Sequence, residues 1–538
     1  MAVTAHPEAS RAAIEVLERG GSAIDAAIAA QAMLGLVEPQ SSGIGGGAFL
    51  LYHEAQSGRI FAYNGREKAP AGARGDMLLN QDGEPLARGE AMLGGRASGV
   101  PGVLAMLELA HAEHGALPWS QAFESTIALA RTGYPLTSRT EQYVHGSYPQ
   151  SDAADVRAMF SEAGGGLLRK GDVFTNPAYA DTLSLIAEGG TAAFYDSADI
   201  AGTIVERTQE APLPGAMTRE DLRGYRAQEV EPLCRPYRVY LVCVPPPPSS
   251  GVAVLQILGM LEQTDIAERG PDDPQAWFLF IEASRLAYAD RDLYVGDPDF
   301  VDVPVAQMLD PAYLARRRSM IGDTAMAAPE AGDLLSAPRG RDSTREPGGT
   351  SHFVIADRDG NVASMTTTIE SIFGSGRTVA GFFLNNQMTD FAFSPVDSEG
   401  RPAANAVAGG KRPRSSMSPT IVLDAQGQVV AALGSPGGNA IIAYVAKTIV
   451  GMIDWKLSPQ EAIALPNVVA RGDAINGEDD QLPAAVRAGL AERGVRVQRG
   501  SGEESGLHAI FKAGSGFVGG ADPRRDGSVE MLTLLPAQ

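Results

Sequence analysis

The sequence predicts a fold of the α+β class, on three observations. Most of the segment from residue 97 to about residue 290 has the apolar periodicity of helices. The part of the chain after residue 350 instead alternates short strand-like runs with helices. No run of 18 apolar residues occurs, which excludes a membrane-spanning helix. With 538 residues, 44% apolar and 20% charged, the composition is that of an ordinary globular protein.

Charge and cysteine content exclude several classes of function. The net charge of −21, from 44 basic and 65 acidic residues, disfavours binding to nucleic acid or to anionic membranes. His111 and His114 lie one helical turn apart without a third ligand nearby, so neither a metal nor a cofactor is predicted. Cys234 and Cys243 flank a predicted strand, and a disulfide between them is left open.

The first half of the chain begins with two helices. The first starts at Pro7 and stops before Gly20-Gly21. The second starts at a capping box formed by Ser22 and Asp25, and it is apolar on nearly every side, which predicts a buried helix. Further helices are predicted over residues 99–113, 119–133, 178–189, 193–210, 219–224, 252–262 and 274–289, and strands over 60–63 and 237–244.

Two loops of the first half have distinctive compositions. The glycine-rich run 43–47 resembles a phosphate-binding loop, but a strand follows it where such a loop needs a helix N-terminus, and no Gly-Lys-Ser/Thr is present. We therefore predict close backbone packing there. Four prolines at 245–248 exclude both helix and strand ladder, so residues 245–251 are predicted to form a rigid loop.

The second half opens with two strands. Thr350 begins an apolar strand, Gly360-Asn361 predicts a hairpin turn, and residues 362–369 form the second strand. A second hairpin is predicted from 421–423 and 429–433, followed by a long apolar helix over 438–453. Short strands are predicted to close the chain, at 495–498, 509–512, 516–519 and 530–534.

The peptide bond between Gly349 and Thr350 is suited to a specific reaction. Glycine leaves its carbonyl open to attack, and the threonine hydroxyl that follows can add to it. Hydrolysis of the resulting ester would create a new chain that begins at Thr350, with a free α-amine beside its own hydroxyl. Such a pair is a nucleophile with a built-in base. By itself, Gly-Gly-Thr is more often a turn before a strand.

The surrounding motifs favour the chemical interpretation. In order after Thr350 come Phe373-Gly374-Ser375-Gly376, the run 384–391 (LNNQMTDF), the run 411–419 (KRPRSSMSP) and Gly434-Ser435-Pro436-Gly437-Gly438. Together with Arg66-Glu67-Lys68-Ala69-Pro70 upstream, they resemble the γ-glutamyltranspeptidase family of N-terminal-nucleophile hydrolases. The resemblance implies a four-layer αββα sandwich. It also implies self-cleavage into a large subunit, residues 1–349, and a small subunit, residues 350–538, that together form one catalytic unit.

The resemblance also implies roles for individual residues. Thr350 would be the nucleophile, with cleavage between Gly349 and Thr350, and Thr368 would hydrogen-bond it. Backbone N–H groups of Gly437 and Gly438 would stabilise the tetrahedral oxygen. Arg66, Ser415 and Ser416 would bind a substrate α-carboxylate. Gln387, Asp390 and the residue at position 370 would bind the α-ammonium.

This sequence departs from the family pattern in the part that recognises the acyl group. Position 370 is usually asparagine and is Glu370 here, and the usual acidic neighbour of Asp390 is Thr389. The family's Thr-Thr-His is Thr350-Ser351-His352. The loop 394–410 occupies the place of the substrate lid but has no aromatic residue, although some relatives close theirs with a tyrosine.

Three functions are compatible with these motifs. The first is a self-processing γ-glutamyltransferase or glutathione hydrolase that acts on glutathione-like compounds, with water, an amino acid or a peptide as acceptor. The second is an acylase for glutaryl or cephalosporin side chains. The third is an unprocessed, non-catalytic binding homologue. The first residues lack a signal peptide, which predicts a cytoplasmic protein, or a periplasmic or secreted one if a leader has been removed.

Overall fold

The structure is a computed structural model that describes residues 1–162, 164–337, 339–342, 344–500 and 505–532. Its strands are β1 (Ala2–Thr4), β2 (Gly47–Glu54), β3 (Arg59–Gly65), β4 (Tyr134–Pro135), β5 (Val173–Phe174), β6 (Gln228–Val230), β7 (Leu233–Tyr237), β8 (Tyr240–Val244), β9 (Ser351–Ala356), β10 (Val362–Thr368), β11 (Thr378–Val379), β12 (Phe382–Phe383), β13 (Thr420–Leu423), β14 (Val429–Gly434), β15 (Val468–Arg471), β16 (Ala474–Gly477), β17 (Gln498–Arg499), β18 (His508–Ala513), β19 (Gly516–Ala521) and β20 (Ser528–Glu530).

The chain also forms 19 α-helices within the described residues. They are α1 (Pro7–Glu18), α2 (Ala23–Val37), α3 (Arg88–Leu93), α4 (Val103–His114), α5 (Glu124–Thr132), α6 (Ser138–Val144), α7 (Ala154–Met159), α8 (Pro177–Gly189), α9 (Ala192–Tyr195), α10 (Ile200–Gln209), α11 (Arg219–Gly224), α12 (Gly251–Leu261), α13 (Ile266–Arg269), α14 (Pro274–Tyr294), α15 (Val305–Met308), α16 (Pro311–Ser319), α17 (Ile441–Ile453), α18 (Pro459–Ala464) and α19 (Ala484–Glu492).

Two antiparallel sheets form the centre of the molecule. The first has seven strands in the order β20-β1-β9-β10-β2-β3-β6, and the second has six in the order β19-β18-β14-β13-β8-β7. Both predicted hairpins, β9–β10 and β13–β14, are confirmed. In the first sheet, strands from before Gly349 pair with strands from after it at three places, β20–β1, β1–β9 and β10–β2. That sheet therefore cannot be divided at residue 349 without separating paired strands.

Apolar side chains pack in three layers around the sheets. One cluster lies between them and joins residues such as Val354 and Leu51 of the first sheet to Ile421 and Ile510 of the second. A second cluster packs α1 and α2 against the outer face of the first sheet, and a third packs α12, α14 and α17 against the second. The order is therefore helix, sheet, sheet, helix. The predicted α+β class and αββα sandwich are confirmed.

Two local predictions near the first sheet are also confirmed. The capping box of Ser22 and Asp25 starts α2, and every residue of that helix is buried. The glycine-rich run packs closely against the neighbouring backbone, because a Cβ added at Gly46 would lie 1.9 Å from the carbonyl oxygen of Thr368. This contact brings the glycine-rich loop against the end of β10.

Some predicted helix and strand boundaries are wrong. The helix predicted over 193–210 is split into α9 and α10, because the Ser197 hydroxyl accepts the Ile200 N–H at 3.0 Å and starts a new helix. The strand predicted over 237–244 is a hairpin, β7–β8, across which Cys234 and Cys243 form a disulfide.

Two of the short C-terminal strands also differ from prediction. Residues 495–497 are not a strand, because the Val495 N–H donates to the Leu490 carbonyl at the end of α19. β20 ends at Glu530, and residues 533 and 534 of the predicted 530–534 strand lie outside the described residues. Within the described ranges, no helix has the length and apolar character needed to cross a bilayer.

Candidate active site

The hydroxyl groups of Thr350 and Thr368 converge on one carbonyl. Thr350 immediately precedes β9 and is 4% exposed, and Thr368 is the last residue of the neighbouring β10. In the continuous chain, the Gly349 carbonyl accepts hydrogen bonds from Thr350 Oγ1 at 2.6 Å and from Thr368 Oγ1 at 2.8 Å. The two hydroxyl oxygens lie 3.0 Å apart. The peptide bond predicted to be cut is therefore held between its nucleophile and a second hydroxyl donor.

Backbone contacts fix both partners of this arrangement. The N–H of Glu370 donates to Thr368 Oγ1 at 2.8 Å, which orients that hydroxyl toward Gly349. A Cβ at residue 349 would lie 2.6 Å from the Glu370 carbonyl, so only glycine fits there. The requirement for glycine at the position before Thr350 thus comes from close packing against residue 370.

Nine of the ten residues predicted to form the site line one cavity of about 20 Å³. The nine are Arg66, Thr350, Thr368, Glu370, Gln387, Asp390, Ser415, Ser416 and Gly438. Gly437 precedes Gly438 at the start of a short turn before α17 but does not line the cavity. Gly438 adopts φ +54°, and a Cβ there would lie 2.1 Å from the Glu346 carbonyl, so the turn needs a glycine at that position.

Arg66 is already bound to protein acceptors. It follows β3 and is 1% exposed. Its Nη2 donates to Asp390 Oδ2 at 2.6 Å and to the Arg414 carbonyl at 2.8 Å, and its Nε donates to the Pro413 carbonyl at 3.2 Å. Nη1 lies 3.6 Å from Glu67 Oε2. A bidentate contact with a substrate carboxylate would therefore require Arg66 to release one of these acceptors.

The two acidic residues predicted for the site, Glu370 and Asp390, are each paired with an arginine. Asp390 Oδ2 contacts Arg66, as above, and accepts a hydrogen bond from Gln387 Nε2 at 2.5 Å. Glu370 Oε1 lies 2.7 Å from Arg88 Nη2, and Asn386 Nδ2 donates to its other oxygen. Arg88 was not predicted from the sequence, because it lies 282 positions before Glu370 and belongs to none of the motifs described above.

Burial and neighbouring acidic groups raise the pKa of both Glu370 and Asp390. Burial, followed by the charge of Asp390, raises the pKa of Glu370 well above the usual range, and Arg88 only partly offsets it. Burial likewise raises the pKa of Asp390. Glu370 also has φ +80°, a conformation that costs on the order of 1–3 kcal/mol for a residue with a side chain. Such strain is typical of positions held for function.

Glu346, four residues before Thr350, lies in the cavity and was missed from the sequence. Its carboxylate contacts Arg291 Nη2 and accepts the Ser416 N–H at 3.1 Å. Arg291 Nη2 also donates to Ser416 Oγ at 2.7 Å. Burial opposes ionisation of Glu346, but Arg291 and Arg414 outweigh it and lower the pKa to about 2. A carboxylate of the chain itself thus occupies the position predicted for a substrate carboxylate at Ser416.

Two loops contact residues that are predicted to bind the substrate, one at Ser415 and the other at Asp390. The proline-rich loop holds Ser415 by two backbone hydrogen bonds, from Ser415 N to the Pro248 carbonyl at 2.9 Å and from Ser250 N to the Ser415 carbonyl at 2.7 Å. The loop predicted as a lid covers Asp390, since Asn405 Nδ2 donates to the Asp390 carbonyl at 2.7 Å. Within the residues that the structure describes, no cluster of three or more His, Cys, Asp or Glu could hold a metal ion.

The sequence matches a known protein family over nearly its whole length. The family model described as Gamma-glutamyltranspeptidase matches residues 9–532. The chain is 34% identical to the glutathione hydrolase proenzyme of Bacillus subtilis (strain 168) over 548 residues, covering 99% of this chain and 92% of that protein. It is 36% identical to the glutathione hydrolase proenzyme of Escherichia coli (strain K12) over 550 residues, covering 99% and 91%.

The fold also matches a solved structure along nearly its whole length. The crystal structure of a cephalosporin acylase from Bacillus halodurans superposes with a TM-score of 0.85 at 28% identity, over 98% of this chain and 95% of that one. The family model covers almost every residue, and both relatives align over nine-tenths or more of each chain. This chain therefore belongs to the gamma-glutamyltranspeptidase family.

Proposed function

We propose that this protein is a self-processing γ-glutamyltransferase and glutathione hydrolase. The observation that carries the proposal is the pair of hydroxyl groups, Thr350 and Thr368, on the Gly349 carbonyl. Thr350 Oγ adds to the Gly349 carbonyl carbon while Thr368 donates to the developing oxyanion. The C–N bond then breaks, its nitrogen takes up the hydroxyl proton, and water hydrolyses the ester to give a Gly349 carboxylate and a free Thr350.

The same atoms then serve the second reaction. The free α-amine of Thr350 takes the proton from Oγ, and Oγ attacks the γ-carbonyl of a γ-glutamyl amide. The amide C–N bond breaks, the leaving amine receives the proton, and a γ-glutamyl ester remains on Thr350. Water or the amine of an amino acid or peptide resolves this ester. Gly437 and Gly438 are proposed to supply backbone donors to the tetrahedral oxygen, and Arg66, Ser415 and Ser416 to bind the substrate carboxylate.

One experiment tests this proposal directly. We expect intact mass and N-terminal sequencing of the purified protein to show two chains, the second of which begins at Thr350. The Thr350→Ala variant should remain a single chain without activity on γ-glutamyl 4-nitroanilide, while Thr350→Ser should cleave slowly. A single uncut, inactive wild-type chain would instead support the binding-homologue alternative, and cleavage of the alanine variant at this bond would exclude the mechanism.

A second candidate function is an acylase for glutaryl or related side chains. The specific observation in its favour is that both acids proposed to bind the α-ammonium, Glu370 and Asp390, are already paired with arginines. An acyl group that lacks the ammonium therefore leaves neither carboxylate without a counter-charge. Parallel assays with γ-glutamyl and glutaryl 4-nitroanilide, which differ only in the amine, separate the two functions.

A further inference from the structure

Arg88 lies between the cavity of Thr350 and an open pocket on the surface. It is the first residue of α3, and its side chain is 27% exposed. Its guanidinium donates to Glu370 inside the cavity, while the residue itself lines an outer pocket of about 600 Å³ that also contains Phe393. The guanidinium carbon lies 5.8 Å from the centre of the Phe393 ring. The ion pair of Arg88 and Glu370 therefore joins a residue of the outer pocket to a residue of the inner cavity.

The pair also determines the charge that the cavity presents. Glu370 is 3% exposed, and the neighbouring groups with the largest effect on its charge are Arg88, Asp390 and the amide of Asn386. Of these, only Arg88 supplies a positive charge. Asp390 has its own cation, Arg66. Without Arg88, ionisation of the buried Glu370 beside Asp390 would be strongly unfavourable, because the resulting charge would have no counter-charge among these groups.

We propose that Arg88 determines the acyl-group specificity of this enzyme, because its pairing with Glu370 allows acyl groups without an α-ammonium to occupy the site. The inference rests on the proposed function and names the substrate class more closely. A γ-glutamyl group brings an ammonium that competes with Arg88 for Glu370. A glutaryl group brings none, and Arg88 then remains on Glu370. The guanidinium therefore narrows the difference in binding between the two acyl groups.

The test compares kcat/KM for γ-glutamyl and glutaryl 4-nitroanilide in charge-altered variants. In Arg88→Gln, glutaryl would leave Glu370 without a cation, while the γ-glutamyl ammonium would take the place of the guanidinium. The ratio of γ-glutamyl to glutaryl activity should therefore rise by about tenfold or more, which corresponds to about 1.4 kcal/mol. Arg88→Lys keeps the charge and should leave the ratio near that of the wild type.

A second variant changes the other member of the pair. Glu370→Gln leaves Arg88 as an unpaired cation that repels the substrate ammonium, so the ratio should fall. In the double variant both charges are absent, and the ratio should return toward the wild-type value, as expected of two directly coupled groups. Because the two single variants shift the ratio in opposite directions, Glu370→Gln still tests the proposal if Arg88→Gln does not fold.

The pH profile supplies a readout that a purely structural role would not change. Since Arg88 lowers the pKa of Glu370, its removal should move the acid limb of the γ-glutamyl kcat/KM profile to higher pH. Arg74→Gln is the matched control, because Arg74 is an exposed arginine of the same segment whose partner is Asp76. Self-cleavage, seen as two bands on a gel, should be complete in the control Arg74→Gln, whose side chain is 79% exposed.

The outcomes distinguish this inference from the proposed function. If the wild type hydrolyses neither anilide, the proposed function fails, and the role of Arg88 fails with it. If the wild type is active but Arg88→Gln and Arg74→Gln both leave the ratio unchanged, the enzyme stands and the role of Arg88 is wrong. An increase that is confined to Arg88→Gln and cancelled in the double variant supports the inference.

Discussion

At the scale of single residues, the position of the Thr368 hydroxyl is the observation that most directly supports the proposed self-cleavage. It accepts the Glu370 N–H and donates to the Gly349 carbonyl, 2.8 Å away in each case. A donor that is fixed before reaction stabilises an oxyanion without reorganising. The donor also lies close to the Thr350 hydroxyl, which places both near the bond that is proposed to break.

We predict that Thr368→Val slows self-cleavage by roughly 100- to 1,000-fold, the range for the loss of one oxyanion donor. The rate is measured from the two-chain fraction on a gel over time after synthesis. Thr367→Val is the matched control. The Thr367 hydroxyl is buried and has no hydrogen-bond partner among the residues that the structure describes, so its loss should leave cleavage unchanged. Equal rates in the two variants would show that the Thr368 hydroxyl is not used.

Arg66→Ala should raise KM for γ-glutamyl anilide by roughly two orders of magnitude, on the order of 3 kcal/mol, because a charge-assisted contact to the substrate carboxylate is lost. The variant should also be less stable, since Asp390 loses its buried cation. Self-cleavage should persist. Arg59→Ala, at the exposed start of the same strand, is the control. A near-normal KM in Arg66→Ala would remove Arg66 from the substrate site.

At the scale of secondary-structure elements, a pair of histidines marks the contact between the two sheets. His352 of β9 and His508 of β18 are fully buried, with nearly parallel rings whose centres lie 6.4 Å apart. Burial lowers the pKa of His508 from 6.5 to about 3, with Arg525 acting in the same direction and Asp522 against it. Burial and the neighbouring His508 also lower the pKa of His352 well below its usual range.

This pair predicts acid sensitivity of the sheet contact. A histidine held neutral in the folded state is protonated more readily when unfolded, so stability is lost as pH falls from about 6.5 toward 3. His508 alone should lower the free energy of unfolding by about 2 kcal/mol between pH 7 and pH 5, at about 1.4 kcal/mol per pKa unit. Urea unfolding of the uncut Thr350→Ala chain at the two pH values measures it.

The control for this prediction uses a histidine at the surface. In the Thr350→Ala background, His508→Gln should reduce the loss of stability between pH 7 and pH 5, and the same change at exposed His145 should not. A pH dependence that is identical in both variants would mean that acid acts elsewhere in the molecule.

The elements that the sequence predicted best are those in which local pattern and tertiary packing agree. The capping box of α2 and the β9–β10 hairpin each depend on residues only a few positions apart. The wrong predictions arose where one side chain or a tight turn decided the outcome, as Ser197 does between α9 and α10.

For the site, residues within the sequence motifs were predicted, and residues that reach the site only through the fold were not. The motifs near Thr350 predicted most residues that line the cavity. Arg88, Arg291 and Glu346 were not predicted because their contacts with the site are set by the fold. Arg88 and Arg291 contact the site from helices that are distant in sequence from Thr350, and the residues around them match none of the motifs used for the prediction.

At the scale of the whole molecule, the two segments on either side of Gly349 share both sheets. In the first sheet, β1 lies between β20 and β9, and β10 lies between β9 and β2. In the second, β8 of the first segment pairs with β13 of the second. The proposed large subunit, 1–349, and small subunit, 350–538, therefore hold one another's strands in place.

We predict that the cut protein does not separate under native conditions. Its elution volume in size-exclusion chromatography should equal that of the uncut Thr350→Ala chain, while a denaturing gel should show two bands. The reason is that separation would expose the paired edges and the apolar surfaces of both sheets together. Recovery of two smaller species in the column would contradict the shared sheets.

Because the first sheet contains strands from both segments, the proposed cut would also change the molecularity of refolding. Before the cut, refolding is a first-order event within one chain. After the proposed cut, the same sheet could be rebuilt only by the encounter of two chains, so the folding equilibrium would depend on protein concentration. Each chain alone would expose half-formed sheets while it waits, and aggregation competes with that encounter. The two-chain protein should therefore remain folded because it unfolds slowly, which is kinetic stability, and not because its separated chains refold readily.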